Sequence, residues 1–359
     1  MTWLPSIQQK VKDYLATQLP DYWQELTAIA SPLIENAVSP EIIIPVSSCK
    51  AVGGDPDEMI ELAAGLMSVM MSVRILDDLQ DRDKDNGLYR KVGSARAFNY
   101  SFAFMTLGYK IFNEIKCDEQ IKKRILSTFN EGGLITLAGQ DRDLQGINTS
   151  WDDYWKTAEM KTCYITSTGA AMGAMMGTTN EECIDACRLY GYHWGLTLQI
   201  LNDMEGIWQT QGESDIEKGK VSLPVLYGLT CDHPEKKELQ TIVWKKKITE
   251  NSRRVKEILD HIDARSYLVW SALEERRKAV EAIQVCPNEE GKNALTYYIN
   301  GVFGDIDEIL SMQHENSKPS FLSIPAFKKD SAAFNSKGPS NVYRSLALSI
   351  RDHHRSNYN

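Results

Sequence analysis

A dense group of aspartates in this sequence is spaced to bind a metal ion. Asp77, Asp78 and Asp81 follow a long apolar run, and their spacing would let a helix point the carboxylates to one side. Hard oxygen ligands of this kind suit Mg²⁺, which takes one or two carboxylates and fills its remaining positions with water and phosphate oxygens. A solvated helix end is the alternative, although acids at a helix C-terminus oppose the helix dipole and add no stability there.

A second polar patch lies on another apolar segment. Gln199, Asn202 and Asp203 stand close together there, and the loop that follows contains Asp215 and Lys220. Two such patches on two buried helices can face each other across a bundle, where metal sites in helical proteins are commonly built. The pattern therefore favours one site made from both patches.

Helical periodicity dominates the segments that must position these groups. Apolar residues recur at helical spacing between Pro and Gly residues, without a sustained strand-like alternation. The clearest start is Asp55-Pro56, an N-cap followed by Pro at the first helical position, and this helix is predicted to end near Asp81. Further helices are predicted at about 96–115, 119–138, 152–177, 181–208, 221–230, 235–262, 264–284 and 289–312.

The periodic pattern stops near the C-terminus, which bounds the domain. We predict a single all-α domain over residues 1–312 and a polar, flexible tail over residues 313–359, where Ser, Lys, Asn, His and Pro accumulate. No fixed repeat period divides the helical part further.

Composition narrows the class of ligand. The net charge of −9 and the lack of a basic stripe with interleaved aromatics argue against a nucleic-acid partner. Seven scattered cysteines without paired spacing argue against a disulfide framework or a zinc site and favour the reducing cytoplasm. The apolar stretch over about 63–73 is too short to cross a bilayer, so we expect no membrane span. We therefore expect any phosphate group to bind through a metal ion.

Taken together, the motifs resemble those of the superfamily of trans-isoprenyl diphosphate synthases and class I terpene synthases. Its first motif, DDxxD, is matched by the three aspartates at 77, 78 and 81. The remaining matches follow in family order: Gly139, Gln140, Asp143 and Leu144; Lys161 and Thr162; Gln199, Asn202 and Asp203; and Asp215, Gly219, Lys220, Leu223 and Pro224. This combination covers residues from about 50 to 230 and is highly specific.

The resemblance implies an isoprenoid-synthase helical bundle around a central cavity, which binds an allylic prenyl diphosphate and three Mg²⁺ ions. The first motif would hold two ions, and Asn202 with Asp203 would help to hold the third. Lys161 and Lys220 would meet the diphosphate as point charges, a role that suits lysine. Val73 lies where the family sets cavity depth, and the family is often dimeric, so a homodimer is expected. Further pocket or site candidates are Phe98, Thr162, Gln199, Gln140, Asp143 and Asp215.

The sequence departs from the family at the second substrate site. Chain-elongating members carry Gly-Lys-Arg ahead of the first motif to bind isopentenyl diphosphate, whereas this chain reads Ser-Pro-Glu-Ile-Ile-Ile-Pro at 39–45. An Arg pair that usually follows DDxxD is also missing, and the nearest cations are Arg90 and Lys91. In the second metal motif, Asn202 and Gly206 replace the first and last Asp.

One substrate site is thus kept and one is lost. This favours a terpene cyclase that ionises a single allylic diphosphate. Three alternatives stay open: a prenyltransferase that elongates an allylic diphosphate with isopentenyl diphosphate, a non-catalytic subunit of a prenyl synthase, and an unrelated helical metal-binding protein.

Overall fold

The computed structural model describes residues 2–35, 40–81, 87–146, 150–208 and 214–303. Within these ranges the chain forms fifteen α-helices and no β-strand, so the all-α prediction is confirmed. The helices are α1 Trp3–Thr17, α2 Gln24–Glu35, α3 Pro40–Ala51, α4 Ile60–Asp81, α5 Leu88–Val92, α6 Ser94–Glu114, α7 Glu119–Leu144, α8 Trp151–Ala158, α9 Tyr164–Gly177, α10 Glu181–Trp208, α11 Leu223–Thr230, α12 Lys236–Trp244, α13 Ser252–His261, α14 Ala264–Ala282 and α15 Glu289–Gly301.

These helices pack as one bundle. Helix α4 lies along α6, α10 packs against both α9 and α14, and α3 packs against α9 and α15. Large side chains fill the space between them; those that are almost fully buried include Trp194, Tyr100, Tyr190, Phe104 and Phe112. Burial of such apolar surface is the main force that holds the helices together and so fixes the distances within the site.

Helix α4, which carries the first aspartate group, is a core helix. With the 3₁₀ turn Pro56–Met59 that precedes it, the segment is long and apolar enough to cross a membrane by length and composition. The helix extends beyond the apolar stretch over 63–73 at both ends. Two thirds of its most apolar part is buried inside the protein, which is the environment of a core helix.

The N-terminal helices α1 to α3 have no counterpart among the segments predicted from the sequence. Pro32 lies inside α2 and Pro45 inside α3, and proline removes a backbone donor and usually ends a helical pattern. Tertiary packing overrides this local preference, because nine of the twelve residues of α3 are buried.

Two further predictions differ from the structure in their boundaries. The helix predicted over 235–262 is divided into α12 and α13, and Lys246 between them has a positive φ of 54°, which a continuing helix does not allow. The helix predicted to end at 312 ends at Gly301, and residues 304–359, with the predicted tail, lie outside the described residues. All described residues fall within one compact unit.

The long helix predicted over 152–177 is interrupted by a wider turn. A π-helical turn, Glu159–Cys163, joins α8 to α9. The Tyr192 hydroxyl of α10 donates a hydrogen bond to Glu159 Oε1 at 2.7 Å, and Glu159 is buried. Such single π turns occur frequently at functional sites, and this one carries Lys161 and Thr162.

Candidate active site

The first aspartate group lies on the last turn of α4. Asp77 and Asp78 are half-buried there, and Asp81, the final residue of the helix, is exposed. From α7, Gln140 Nε2 reaches Asp77 Oδ1 at 3.5 Å and Gln80 Oε1 at 2.9 Å. The amide side chain therefore ties α7 to the end of α4, beside the carboxylates.

Lys161 is placed against these carboxylates by the π-helical turn. Its ammonium donates to Asp143 Oδ2 at 2.7 Å and lies 3.9 Å from Asp77 Oδ1. Burial favours the neutral amine, but the fields of Asp143, Asp77 and Asp81 outweigh it and raise the pKa of Lys161. The side chain thus stays cationic at neutral pH, between helices α4 and α7.

The close approach of α7 to this turn requires Gly139. A Cβ atom at position 139 would collide with the backbone of Met160 and Lys161. Because glycine has no side chain, the π-helical turn can rest directly on α7, which brings Lys161 within reach of Asp143 one turn farther along α7.

The second polar patch forms a chain of hydrogen bonds from the π-helical turn to α11. Thr162 Oγ1 donates to Gln199 Oε1 at 2.9 Å, and Gln199 Nε2 donates to Asp203 Oδ1 at 2.7 Å. The other Asp203 oxygen, Oδ2, accepts the backbone N–H of Leu223 at 2.8 Å. Burial raises the pKa of Asp203 to about 6, although the hydrogen bonds from Leu223 and Gln199 oppose the shift.

The loop after α10 returns to that helix. The backbone N–H of Asp215 donates to the Gly206 carbonyl at 2.9 Å, and that of Lys220 donates to the Asp215 carbonyl at 2.8 Å. Asn202 and Lys220 are both exposed, whereas Asp203 beside Asn202 is buried. The two polar residues that begin the second motif therefore point into different environments.

The model of the Polyprenyl synthetase family matches residues 42–262, which carry both polar patches and the turn with Lys161. This chain belongs to the polyprenyl synthetase family. The resemblance drawn from the motifs is thereby confirmed at the level of the superfamily.

One relative of this chain is a (2E,6E)-farnesyl diphosphate synthase of Mycobacterium tuberculosis. The two sequences are 26% identical over an alignment of 204 residues, which covers 53% of this chain and 56% of the relative. Tryptophan prenyltransferase ComQ of Bacillus subtilis is 26% identical over 175 residues, 49% of this chain and 56% of the relative. The chain thus spans little more than half the length of these curated relatives.

The fold is shared with solved structures of the family. A polyprenyl synthase from Caulobacter crescentus, crystallised with calcium and isoprenyl diphosphate, superposes with a TM-score of 0.73 at 18% identity, over 83% of this chain and 94% of that one. The predicted isoprenoid-synthase bundle is thereby confirmed as a fold. At this identity the likeness concerns the fold alone.

Polyprenyl synthetase family members depend on Mg²⁺ in general, and the donor sets of this chain fit that ion unequally. Asp77, Asp78 and Asp81 are at least partly accessible carboxylates at one helix end, where water and phosphate oxygens have room to complete the metal shell. Asp203 fits poorly, because it is 6% exposed and both of its oxygens accept internal hydrogen bonds. Among the described residues, no three His, Cys, Asp or Glu side chains are gathered into a ready-made metal cage.

The candidate cations and pocket residues outside these patches are more scattered. The Arg90 guanidinium lies 5.3 Å from the centre of the Tyr89 ring, and Lys91 is exposed on the same short helix α5. Val73 is partly buried on α4, one turn before Asp77. Phe98 on α6 is 49% exposed, so within a single chain it does not form part of a closed apolar wall.

Two groups that contribute to the site, the Leu223 N–H and Tyr154, were not predicted from the sequence. The Leu223 N–H is a backbone group twenty positions after Asp203, and no side-chain pattern signals it. Tyr154 on α8 is buried near the Asp203 carboxylate; burial, followed by the negative charge of Asp203, raises the pKa of Tyr154 well above its ordinary value. Its place on an apolar helix face resembles that of any core tyrosine, which hides its nearness to the acid.

Proposed function

We propose that this chain is a Mg²⁺-dependent prenyltransferase that ionises an allylic prenyl diphosphate and joins the resulting allylic cation to isopentenyl diphosphate. The observation that carries the proposal is the Lys161 ammonium, held charged between Asp143 and the Asp77 carboxylate at the end of α4. A diphosphate that binds together with metal can replace these carboxylates as the partner of the Lys161 ammonium.

The chemistry follows from the charges of these side chains. Asp77, Asp78 and Asp81 would hold Mg²⁺, which when bound neutralises the negative charge that grows on the departing diphosphate. Lys161 would donate to a phosphate oxygen as the C–O bond breaks, and Lys220, exposed on the loop before α11, is the second candidate donor. The allylic carbon is left as a cation, which the double bond of the second substrate attacks. The new carbocation then loses a proton to form the product double bond, and the released diphosphate is the available base.

Prenyl transfer replaces the terpene cyclase as the main proposal. The farnesyl diphosphate synthase and ComQ relatives both carry names of prenyl-transferring enzymes, and nothing in the comparisons favours cyclisation. Chain elongation, which the sequence analysis kept as an alternative, fits these relatives better.

A second candidate, prenyl transfer or cyclisation without isopentenyl diphosphate, is favoured by one specific contact. In the region where elongating members carry cations, Glu41 of α3 forms an ion pair with Arg74 of α4 at 2.5 Å, and its carboxylate is 9% exposed. Because Arg74 is already paired with this carboxylate, it is not available as a cation for a second diphosphate. A tryptophan side chain, the acceptor in the name of ComQ, is one uncharged alternative.

We further propose that the protein works as a homodimer in the cytoplasm. Helices α6 and α7 lie side by side through the Tyr109–Asn130 hydrogen bond, and both expose large apolar side chains; they are Phe98, Phe102, Tyr109, Leu134 and Leu137. An apolar surface of this kind is typical of a protein interface. All seven cysteines lie in the described part of the chain and none of them forms a disulfide there, which agrees with a reducing compartment.

The test is a matrix of substrates. The purified protein with Mg²⁺ is incubated with geranyl, farnesyl or geranylgeranyl diphosphate, alone, with isopentenyl diphosphate, or with a tryptophan-containing peptide. Longer diphosphates that form only with isopentenyl diphosphate, and that disappear in Lys161→Ala, support the main proposal. Hydrocarbon formed from the allylic diphosphate alone would establish a cyclase instead, and a prenylated peptide would establish transfer to tryptophan.

A further inference from the structure

Both oxygens of the buried Asp203 carboxylate accept hydrogen bonds from within the protein. Its Oδ1 accepts from Gln199 at 2.7 Å and its Oδ2 from the Leu223 backbone at 2.8 Å, and only 6% of the residue is exposed. A Mg²⁺ ligand needs open space beside it, since this ion keeps several waters. Asn202, the preceding residue, is exposed and so has that space.

One of these two partners, Leu223, lies at the end of the loop that follows α10. Leu223 is the first residue of α11, and its N–H belongs to the first turn, which finds no acceptor within the helix itself. A carboxylate at that position satisfies the N–H and interacts favourably with the positive end of the helix dipole. Asp203 thus attaches the beginning of α11 to α10.

The beginning of the described part of this loop, at Asp215, contacts α10 at Gly206, one helical turn after Asp203. Gly206 accepts the Asp215 N–H at 2.9 Å, and the Asp215 carboxylate fills the space that a side chain at position 206 would occupy. Asp203 and Gly206 are three residues apart, so they lie on the same face of α10. The described loop residues 214–222, which include Lys220, are therefore held on α10 at both ends.

We propose that Asp203 is a positioning residue, which holds the 214–222 loop on α10 so that Asp215 and Lys220 face the site, and that it does not ligate metal. This inference rests on the proposed function for the meaning of the loop, but the attachment itself is independent of the reaction. It assigns the metal-facing role on this turn of α10 to Asn202 alone.

Substitution of Asp203 by asparagine distinguishes loop attachment from metal ligation. In Asp203→Asn the amide oxygen can still accept the Leu223 N–H, and its NH₂ can donate to a Gln199 that has turned over, because the Thr162 hydroxyl can accept as well as donate. The loop attachment is kept, whereas the charge that a metal needs is lost. Asp203→Ala removes both, and Asn202→Ala leaves the attachment unchanged.

The experiment uses the full chain and two measurements. Amide hydrogen exchange over residues 214–223, measured without metal or substrate, is expected to speed up about tenfold in Asp203→Ala and by less than about threefold in Asp203→Asn and Asn202→Ala. Calorimetric titration of Mg²⁺ in the presence of inorganic pyrophosphate is expected to give wild-type affinity for Asp203→Asn and weaker affinity for Asn202→Ala.

A different result for Asp203→Asn would overturn the inference. If Asp203→Asn lowers the Mg²⁺ affinity tenfold or more while exchange over 214–223 stays slow, Asp203 is a ligand and the inference is overturned. If Asp203→Ala does not fold, the asparagine variant alone decides. A protein that turns over no prenyl diphosphate would end the proposed function, yet it would leave the exchange result intact.

Discussion

Lys161 of the π-helical turn donates to Asp143 of α7 at 2.7 Å, and the same turn rests on α7 at Gly139. In the proposed reaction, the ammonium exchanges this carboxylate for a phosphate oxygen. Lys161→Ala should therefore lower kcat/KM by about 10²- to 10³-fold, the usual effect of losing one donor to a developing anion.

The matched control for Lys161 is Lys156→Ala. Lys156 is exposed on α8, five residues earlier on the same helical segment, and its loss should leave kcat/KM within about twofold. Steady-state kinetics with the allylic diphosphate measure both. Equal losses in the two variants would show that general surface charge, and not the position of Lys161, attracts the substrate.

The carboxylate at the end of α4 should control the requirement for metal. Asp81→Asn is expected to raise the Mg²⁺ concentration for half-maximal activity about tenfold or more, because a neutral amide oxygen binds the ion more weakly than a carboxylate. Asp141→Asn is the control, since Asp141 follows Gln140 as Asp81 follows Gln80 and is likewise exposed, but its carboxylate accepts a hydrogen bond from Gln145. A Mg²⁺ titration of the activity that gave the same midpoint for Asp81→Asn and the wild type would exclude Asp81 from the metal site.

The contact of α7 with the π-helical turn can be tested by two glycine substitutions on one helix. Gly139→Ala places a methyl group against the backbone of Met160 and Lys161 and should lower the free energy of unfolding by about 2–3 kcal/mol. Gly133→Ala, where a Cβ atom meets open space, should raise it by about 0.5–1 kcal/mol. Denaturant unfolding measures both, and a stabilising Gly139→Ala would contradict the close approach.

The apolar face of α6 and α7 predicts the oligomeric state. Phe102→Glu and Leu134→Glu place charges on side chains that are 57% and 71% exposed in the single chain. Both should convert a dimer to a monomer in light scattering after size exclusion, without loss of helical content. Tyr22→Glu is the control, because Tyr22 is 91% exposed and lies between α1 and α2, outside the two helices α6 and α7. A wild type that is monomeric at micromolar concentration would exclude the homodimer.

A buried acid away from the site should make stability depend on pH. Burial opposes the ionisation of Glu275, but His193 at 2.6 Å and Lys278 at 2.7 Å outweigh it and hold the pKa of Glu275 below its usual value. A lowered pKa in the folded state means that this stabilisation is present at neutral pH and is lost as the pH falls below about 4.5, the ordinary value.

Glu275→Gln should remove that dependence. We expect it to cost about 3 kcal/mol of unfolding free energy from pH 7 down to about pH 5 and progressively less below about pH 4.5, where the wild type loses the same interaction. Urea unfolding at several pH values measures the difference between the two proteins. A difference that already declined between pH 7 and pH 5 would mean that the pKa of Glu275 is not lowered in the folded protein.

The sequence predicted the fold class and many of the helices because their signals are local. The 3.6-residue spacing of apolar residues located α10 at its observed boundaries, and the Asp55 cap is present as a hydrogen bond to the Asp57 N–H. Helices α2 and α3 were missed because their internal prolines break the local pattern and only burial in the bundle compensates for it.

The site could be predicted where a motif fixes side chains on one helix, and less well where it depends on distant backbone. Motif matches named Asp77, Gln140, Asp143 and Lys161, which the structure places together. The inward orientation of Asp203 depends on an N–H of α11 that periodicity cannot reveal, and the π-helical turn adds no residue type that a pattern would detect.

The π-helical turn also has a mechanical consequence. Lys161 and Thr162 are consecutive residues, yet one contacts the carboxylates of α4 and α7 and the other begins the hydrogen-bond chain that leads to α11. One peptide unit therefore links the Asp143 contact to the Thr162–Gln199 hydrogen bond. A displacement of Lys161 towards a phosphate oxygen would act directly on that second hydrogen bond.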